Sequence, residues 1–201
     1  MNTNYRKLLA AIAAMAFTCA AAASDPLKDM EPIEPAPIPD APAAAASDFP
    51  SGQVAQGRYL VTLLACGGCH TEGALAGKPD GDRLLAGSTV GIATSNPMQM
   101  KYPGVVFPSN LTPDPETGLG EWSVGQIASM LQSGMDRHGK QAIPVMPWMT
   151  YSKLTEEDAT AIAVYLKSLP PVKHPIPASV RAGKKTQAPF VHFGVYRSRQ
   201  N

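Results

Sequence analysis

Cys66-Gly67-Gly68-Cys69-His70 is a C-x-x-C-H sequence, and the rest of the chain can be read outward from it. Two thiols at this spacing reach the two vinyl groups on one edge of a porphyrin. The histidine beside the second thiol then lies under the metal as an axial ligand, which is the pattern of c-type haem attachment. Gly67 and Gly68 put no side chain in the way of the ring edge. Other uses of these residues fit less well. A structural zinc site needs two more thiol or imidazole ligands, and His138, His174 and His192 are scattered without paired spacing. A thioredoxin-like dithiol belongs near a βαβ pattern, which is absent here. A plain disulfide leaves His70 without a role. The expected cofactor is one covalent haem c, attached through Cys66 and Cys69 with His70 on the metal.

The N-terminus agrees with that chemistry. Arg6 and Lys7 precede an apolar stretch from Leu8 to about Thr18, then the small residues Cys19-Ala20-Ala21-Ala22-Ala23. This is the layout of a secretory signal over residues 1–23, cleaved near Ala23. The stretch is short and alanine-rich for a retained anchor, and Ala16-Phe17-Thr18 before Cys19 is a poor lipobox. Membrane association is expected only through an uncleaved signal or a lipid anchor. Haem of this type is normally attached outside the cytoplasm, so a periplasmic location is expected. Removal of the signal leaves Cys66 and Cys69 as the chain's only thiols.

The 201 residues carry a formal net charge of +1, which conceals three unlike regions after the signal. Residues 24–50 hold seven prolines, the Ala43–Ala46 run and six acids against Lys28. Such a composition buries little and favours extended conformations, so a disordered Pro/Ala-rich acidic tether is expected. Residues 51–172 hold 10 acids and 8 bases and form the expected haem domain. Residues 173–201 hold six bases and no acids. This basic C-terminal extension is either a strap over the domain or a partner surface; the strap is favoured because Phe190, Phe193 and Tyr196 need cover. No internal repeat is visible. Bulk charge does not suggest nucleic-acid binding.

Three helices are expected in the domain. The first spans about Gln53 to Ala65, with Val54, Leu60, Val61 and Leu64 as its apolar stripe. The second begins at Ser123, whose spacing to Gln126 is a capping box, and stops at Gly134. The third begins at Thr155, continues through Ile162, Tyr165, Leu166 and Leu169 at helical spacing, and ends at Pro170-Pro171. Strand signals are weak. Residues Gly73 to Pro108 read as one long loop, which needs an outside source of order such as a large cofactor.

A methionine thioether opposite His70 would raise the reduction potential by favouring ferrous iron. Met146, in Ile143-Pro144-Val145-Met146-Pro147-Trp148, stands between prolines that stiffen its loop and is the leading candidate. Met149, Met100 and Met98 remain open. Met30 lies in the tether and Met130 on an apolar helix face, where packing is the simpler role. His138 sits in the polar run 136–140 and reads as part of a solvated turn.

The order of these parts resembles a class I c-type cytochrome over about residues 52–172. The stretch Asn110-Leu111-Thr112-Pro113-Asp114-Pro115-Glu116-Thr117-Gly118-Leu119-Gly120-Glu121-Trp122 resembles a segment of the cytochrome c subunits that serve periplasmic alcohol, aldehyde and sugar dehydrogenases. Met146-Pro147-Trp148, Leu154 to Asp158 and Tyr165 to Pro170 match the end of that pattern. Many such subunits carry three haems, and this chain departs from them with a single C-x-x-C-H. The resemblance implies an all-α fold of helices and long loops around one haem. It implies that Gly57 and Tyr59 cross Ile162 and Tyr165, that the Pro108 carbonyl orients His70, and that Trp122 contacts a haem propionate; packing is the alternative for Trp122. Asp114 and Glu116 read as a turn around Pro115.

With both axial positions filled the chemistry expected is single-electron transfer, with no catalytic residues. The partners implied are redox proteins: a dehydrogenase as donor, and an oxidase or another cytochrome as acceptor. The alternatives are a cytochrome subunit fixed in a dehydrogenase complex, or a haem enzyme or gas binder with a displaceable sixth ligand. The last needs a polar distal group, which nothing near Met146 clearly supplies.

Overall fold

In the computed structural model the described residues are 36–95, 104–136, 138–139 and 145–194. The expected signal with Cys19, the first part of the tether with Met30, and Met98, Met100 and Tyr196 lie outside them. The three helices read from periodicity are present. Helix α1 spans Ser51–Leu63, and the short helix α2 spans Gly67–His70. Helix α3 spans Val124–Ser133 and α4 is the single turn Trp148–Tyr151. Helix α5 spans Glu156–Lys167.

Local chemistry sets the ends of α3 and α5. The Ser123 hydroxyl accepts from the Gln126 amide at 3.1 Å, and the Gln126 side chain accepts from the Ser123 amide at 2.9 Å. This reciprocal box satisfies two donors the helix cannot satisfy itself. Gly134 closes α3 in the left-handed region, φ 69°. Thr155 caps α5 by accepting from the Asp158 amide at 3.0 Å. Lys167 in the last turn of α5 donates to the carbonyls of Leu119 and Gly120, at 3.1 and 2.7 Å.

Helices α1, α3 and α5 enclose the main core of Leu60, Val61, Ile127, Ala128, Ile162, Tyr165, Leu166 and Leu169. Helix α1 crosses α5 at Gly57, where an added Cβ would run into the Ala161 carbonyl and the Tyr165 Cβ. The small residue therefore sets the approach, as expected. Tyr59 does not share that crossing, because it is 59% exposed on the outer face of α1.

Two expectations need correction. The fold is mostly helical but not all-α: Gly91–Ser95 (β1), Val105–Val106 (β2) and Phe190–Gly194 (β3) form a sheet in the order β2-β1-β3. β1 pairs antiparallel with β2, and parallel with β3 from Gly91↔Phe190 to Ser95↔Gly194. Parallel partners need long crossovers, so no local pattern announces this pairing. Ala93, Val105 and Phe107 make a second small core with Ile176, Val180 and Ala188 of the C-terminal extension. The extension is thus a strap, but not for the reason given: Phe190 and Phe193 stay 47% and 56% exposed.

The second correction concerns residues 36–50 of the expected tether, which lie along the domain. Ala41 is buried in the main core. Arg58 donates to the Ala41 carbonyl at 3.0 Å, Tyr165 to that of Pro42 at 2.7 Å, and the Ala45 amide to that of Ser168 at 2.8 Å. Prolines hold the segment extended, which lets a sequence poor in large apolar residues dock through its carbonyls.

Candidate haem-binding site

The C-x-x-C-H residues are presented by a sharp reversal at the end of α1. Ala65 adopts φ 54°, a left-handed conformation uncommon for a residue with a Cβ. It turns the chain from α1 into α2. There the amides of Cys69 and His70 bond to the Cys66 carbonyl at 3.3 and 2.9 Å. One helical turn brings residues three and four apart onto the same side, which gathers Cys66, Cys69 and His70. Both cysteines are free thiols. Burial pushes the Cys66 thiol up to about 11, opposed by a backbone hydrogen bond and assisted by nearby Cys69. Burial also raises Cys69. A thioredoxin-type nucleophile shows the opposite shift.

The His70 ring is held from one side. Its Nδ1 lies 2.8 Å from the Ser109 carbonyl oxygen. A carbonyl only accepts, so Nδ1 carries the hydrogen and the Nε2 lone pair is left for a metal. Burial lowers the His70 pKa, and the bond to Ser109 works against that shift. The orienting carbonyl was expected from Pro108 and belongs instead to Ser109. The Pro108 oxygen accepts from the Ser88 amide at 3.0 Å.

The loop that follows α2 is fixed to the same turn. The Gly87 amide donates to the His70 carbonyl at 2.8 Å, and the Leu85 amide to the buried Thr71 hydroxyl at 3.2 Å. Glu72 accepts from both the amide and the hydroxyl of Thr89, each at 2.8 Å. Its carboxylate lies 3.4 Å from Nε2 of buried His174, whose Nδ1 contacts the Ala86 carbonyl at 3.0 Å. The C-terminal extension thereby pins the loop beside the motif. Ile38 and Pro39 lie over α2. An added Cβ would be 3.0 Å from the Pro39 carbonyl at Gly67, and 3.6 Å from the Ile38 side chain at Gly68. Gly67 leaves room for the Pro39 carbonyl, a role in addition to clearing the ring edge.

Met146 is half-buried in the turn that leads into α4. Four residues on from Pro147, the Tyr151 phenol is pushed up to about 12, chiefly by burial. Met149 points outward at 62% exposure and Met135 is 38% exposed, which weakens both as buried ligands. Trp122 is half-buried against the main core.

The donor set suits haem c. Two neutral thiols share one helical turn, and a single imidazole presents Nε2 with Nδ1 already anchored. Among the described residues, no three His, Cys, Asp or Glu side chains gather as a metal cage. Sequence reasoning missed Ser109, which acts through its main chain and carries no side-chain signal. It also missed the Glu72–His174 contact, which joins residues distant in sequence.

Comparison with known proteins agrees with this arrangement. The Cytochrome c family model matches residues 54–170. The chain is 34% identical over 153 residues to the fructose dehydrogenase cytochrome subunit of Gluconobacter japonicus, covering 76% of this chain and 27% of that protein. It is 30% identical over 131 residues to the cytochrome c subunit of the quinone alcohol dehydrogenase of Gluconobacter oxydans, covering 65% and 24%. It is 26% identical over 137 residues to the gluconate 2-dehydrogenase cytochrome c subunit of Pantoea cypripedii, covering 68% and 26%. This chain thus spans about a quarter of the length of each of these relatives. A c-type motif on a reversed helix end, a buried helical core and the family match together place this chain in the cytochrome c family, which implies a covalently bound haem c.

Proposed function

We propose that this chain is a periplasmic electron-transfer protein with one covalent haem c, attached at Cys66 and Cys69 and ligated by His70 and Met146. When bound, the haem supplies a one-electron couple whose potential the protein sets through ligand pair, burial and hydrogen bonding. The observation that carries the reading is the His70 ring, with Nδ1 fixed on the Ser109 carbonyl and Nε2 directed away from it. Hydrogen bonding of this kind fixes the tautomer and makes the ligand more basic. The single C-x-x-C-H supports one haem per chain, and the N-terminal signal pattern supports export.

The electron donor we propose is a dehydrogenase, and the acceptor an oxidase or another cytochrome. The similarity to cytochrome subunits of fructose and alcohol dehydrogenases favours a second form of the same reading. In it the chain is a resident subunit of such a complex rather than a diffusing carrier. Co-purification with a catalytic subunit supports residence, and recovery as a free protein supports the carrier. An absorption spectrum tests the chemistry common to both. Low-spin iron that ignores carbon monoxide is expected; high-spin, carbon-monoxide-reactive iron contradicts His/Met ligation.

A further inference from the structure

Asn110 follows Ser109, and its buried side chain is bonded at every polar position. It is 1% exposed. Its Oδ1 accepts from the Thr112 amide at 2.9 Å and the Thr112 hydroxyl at 2.8 Å. Its Nδ2 donates to the Thr117 hydroxyl at 3.0 Å and the Val172 carbonyl at 2.8 Å. A carboxamide has two acceptor sites and two donor hydrogens, and all four are used. The orientation is unambiguous, because the Val172 carbonyl can only accept and the Thr112 amide can only donate.

We infer that Asn110 is a positioning residue for His70, acting through the peptide plane whose oxygen accepts the His70 Nδ1 hydrogen. This rests on His70 being a haem ligand, as proposed above. The Ser109 carbonyl and the Asn110 amide belong to one rigid peptide unit. Main-chain bonds flank that unit: Pro108 oxygen to the Ser88 amide at 3.0 Å, and the Leu111 amide to the Leu85 carbonyl at 2.8 Å. Flanking bonds alone leave the plane between them able to rotate. The four bonds of Asn110 oppose that rotation by fixing its α-carbon against Thr112, Thr117 and Val172. The Val172 amide returns a bond to the Thr112 hydroxyl at 3.0 Å, so the segment after α5 is tied in at both its amide and its carbonyl. Asn110 thus connects the end of the last helix to the ring orientation of His70, and its loss weakens the donation of Nδ1–H to Ser109.

The test compares holoprotein of wild type, Asn110→Ala and Thr112→Val. Two readouts are taken: solvent exchange of the His70 Nδ1 hydrogen by NMR, and the reduction potential. Asn110→Ala is expected to speed that exchange about tenfold, the equivalent of one hydrogen bond, and to raise the potential. The direction follows because an imidazole that has lost its acceptor is a weaker donor to ferric iron. Thr112→Val removes one of the two bonds to Oδ1 and the acceptor of the Val172 amide, and is expected to move both readouts the same way by less. If Asn110→Ala yields no holoprotein, Thr112→Val carries both readouts alone. A variant that loses stability while exchange and potential stay at wild-type values overturns the inference and leaves the proposed function standing. Spectra placing His70 off the iron in the wild type overturn that function, and the inference with it.

Discussion

His70 and Met146 enter the account on different grounds, and single substitutions separate them. His70→Ala is expected to abolish stable holoprotein; a normal ferrous spectrum from that variant contradicts the assignment. Met146→Ala is expected to keep the covalent haem, lower the potential and open the iron to carbon monoxide. Unchanged potential and ligand reactivity would mean that another residue is the sixth ligand. Asp114 offers a test independent of haem. Its carboxylate accepts from the Thr117 hydroxyl and amide, each at 2.7 Å, and from the Glu116 amide at 3.2 Å. The Thr117 hydroxyl is the main reason its pKa lies below the ordinary 3.8; burial opposes the shift, and the two amides and Lys173 add to it. The folded state therefore binds this proton less readily than the unfolded chain. The resulting stability is present above 3.8 and is lost as pH falls below it. Acid-unfolding curves of wild type and Asp114→Asn are expected to converge at low pH and separate at neutral pH, with wild type the more stable.

At the scale of elements, the crossing of α1 and α5 depends on a missing side chain. Gly57→Ala sets a Cβ against the Ala161 carbonyl and is expected to cost about 1–3 kcal/mol, the usual range for overpacking. Thermal unfolding checks this, and an unchanged Tm contradicts the close crossing. The Ser123 box, the Thr155 cap and the Cys66–His70 turn were legible beforehand, because each is written in residues within one turn of each other; Gly57, whose partners lie about a hundred residues on, came only from the family resemblance. The sheet was not. β1 finds β3 nearly a hundred residues later, and neither Gly91–Ser95 nor Phe190–Gly194 has enough alternation to announce a strand. Pro108 stood in for Ser109 for a related reason: which carbonyl meets a ring is fixed by loop geometry, not by residue type. Residues 36–50 looked free because they lack large apolar side chains, yet they dock mainly through backbone carbonyls, which composition does not register.

For the whole molecule, the two terminal segments both pack against the site and the loop that follows it. Ile38 and Pro39 cover α2, and His174 with Ile176 and Val180 fastens the loop and sheet. Removing residues 190–201 takes away β3 with its exposed phenylalanines. Removing residues 173–201 also takes His174, Ile176 and Val180. The longer truncation is expected to be less stable than the shorter by about 2–4 kcal/mol, from the apolar side chains it uncovers. Equal unfolding midpoints in denaturant would contradict the strap. The central claim is one haem joined to the chain by both cysteines, and intact-mass spectrometry of the exported protein tests it most directly. The account predicts a single species heavier by one haem, stable to denaturing acid, with no thiol left to alkylate. A mass matching the bare polypeptide, with two alkylatable thiols, would contradict it.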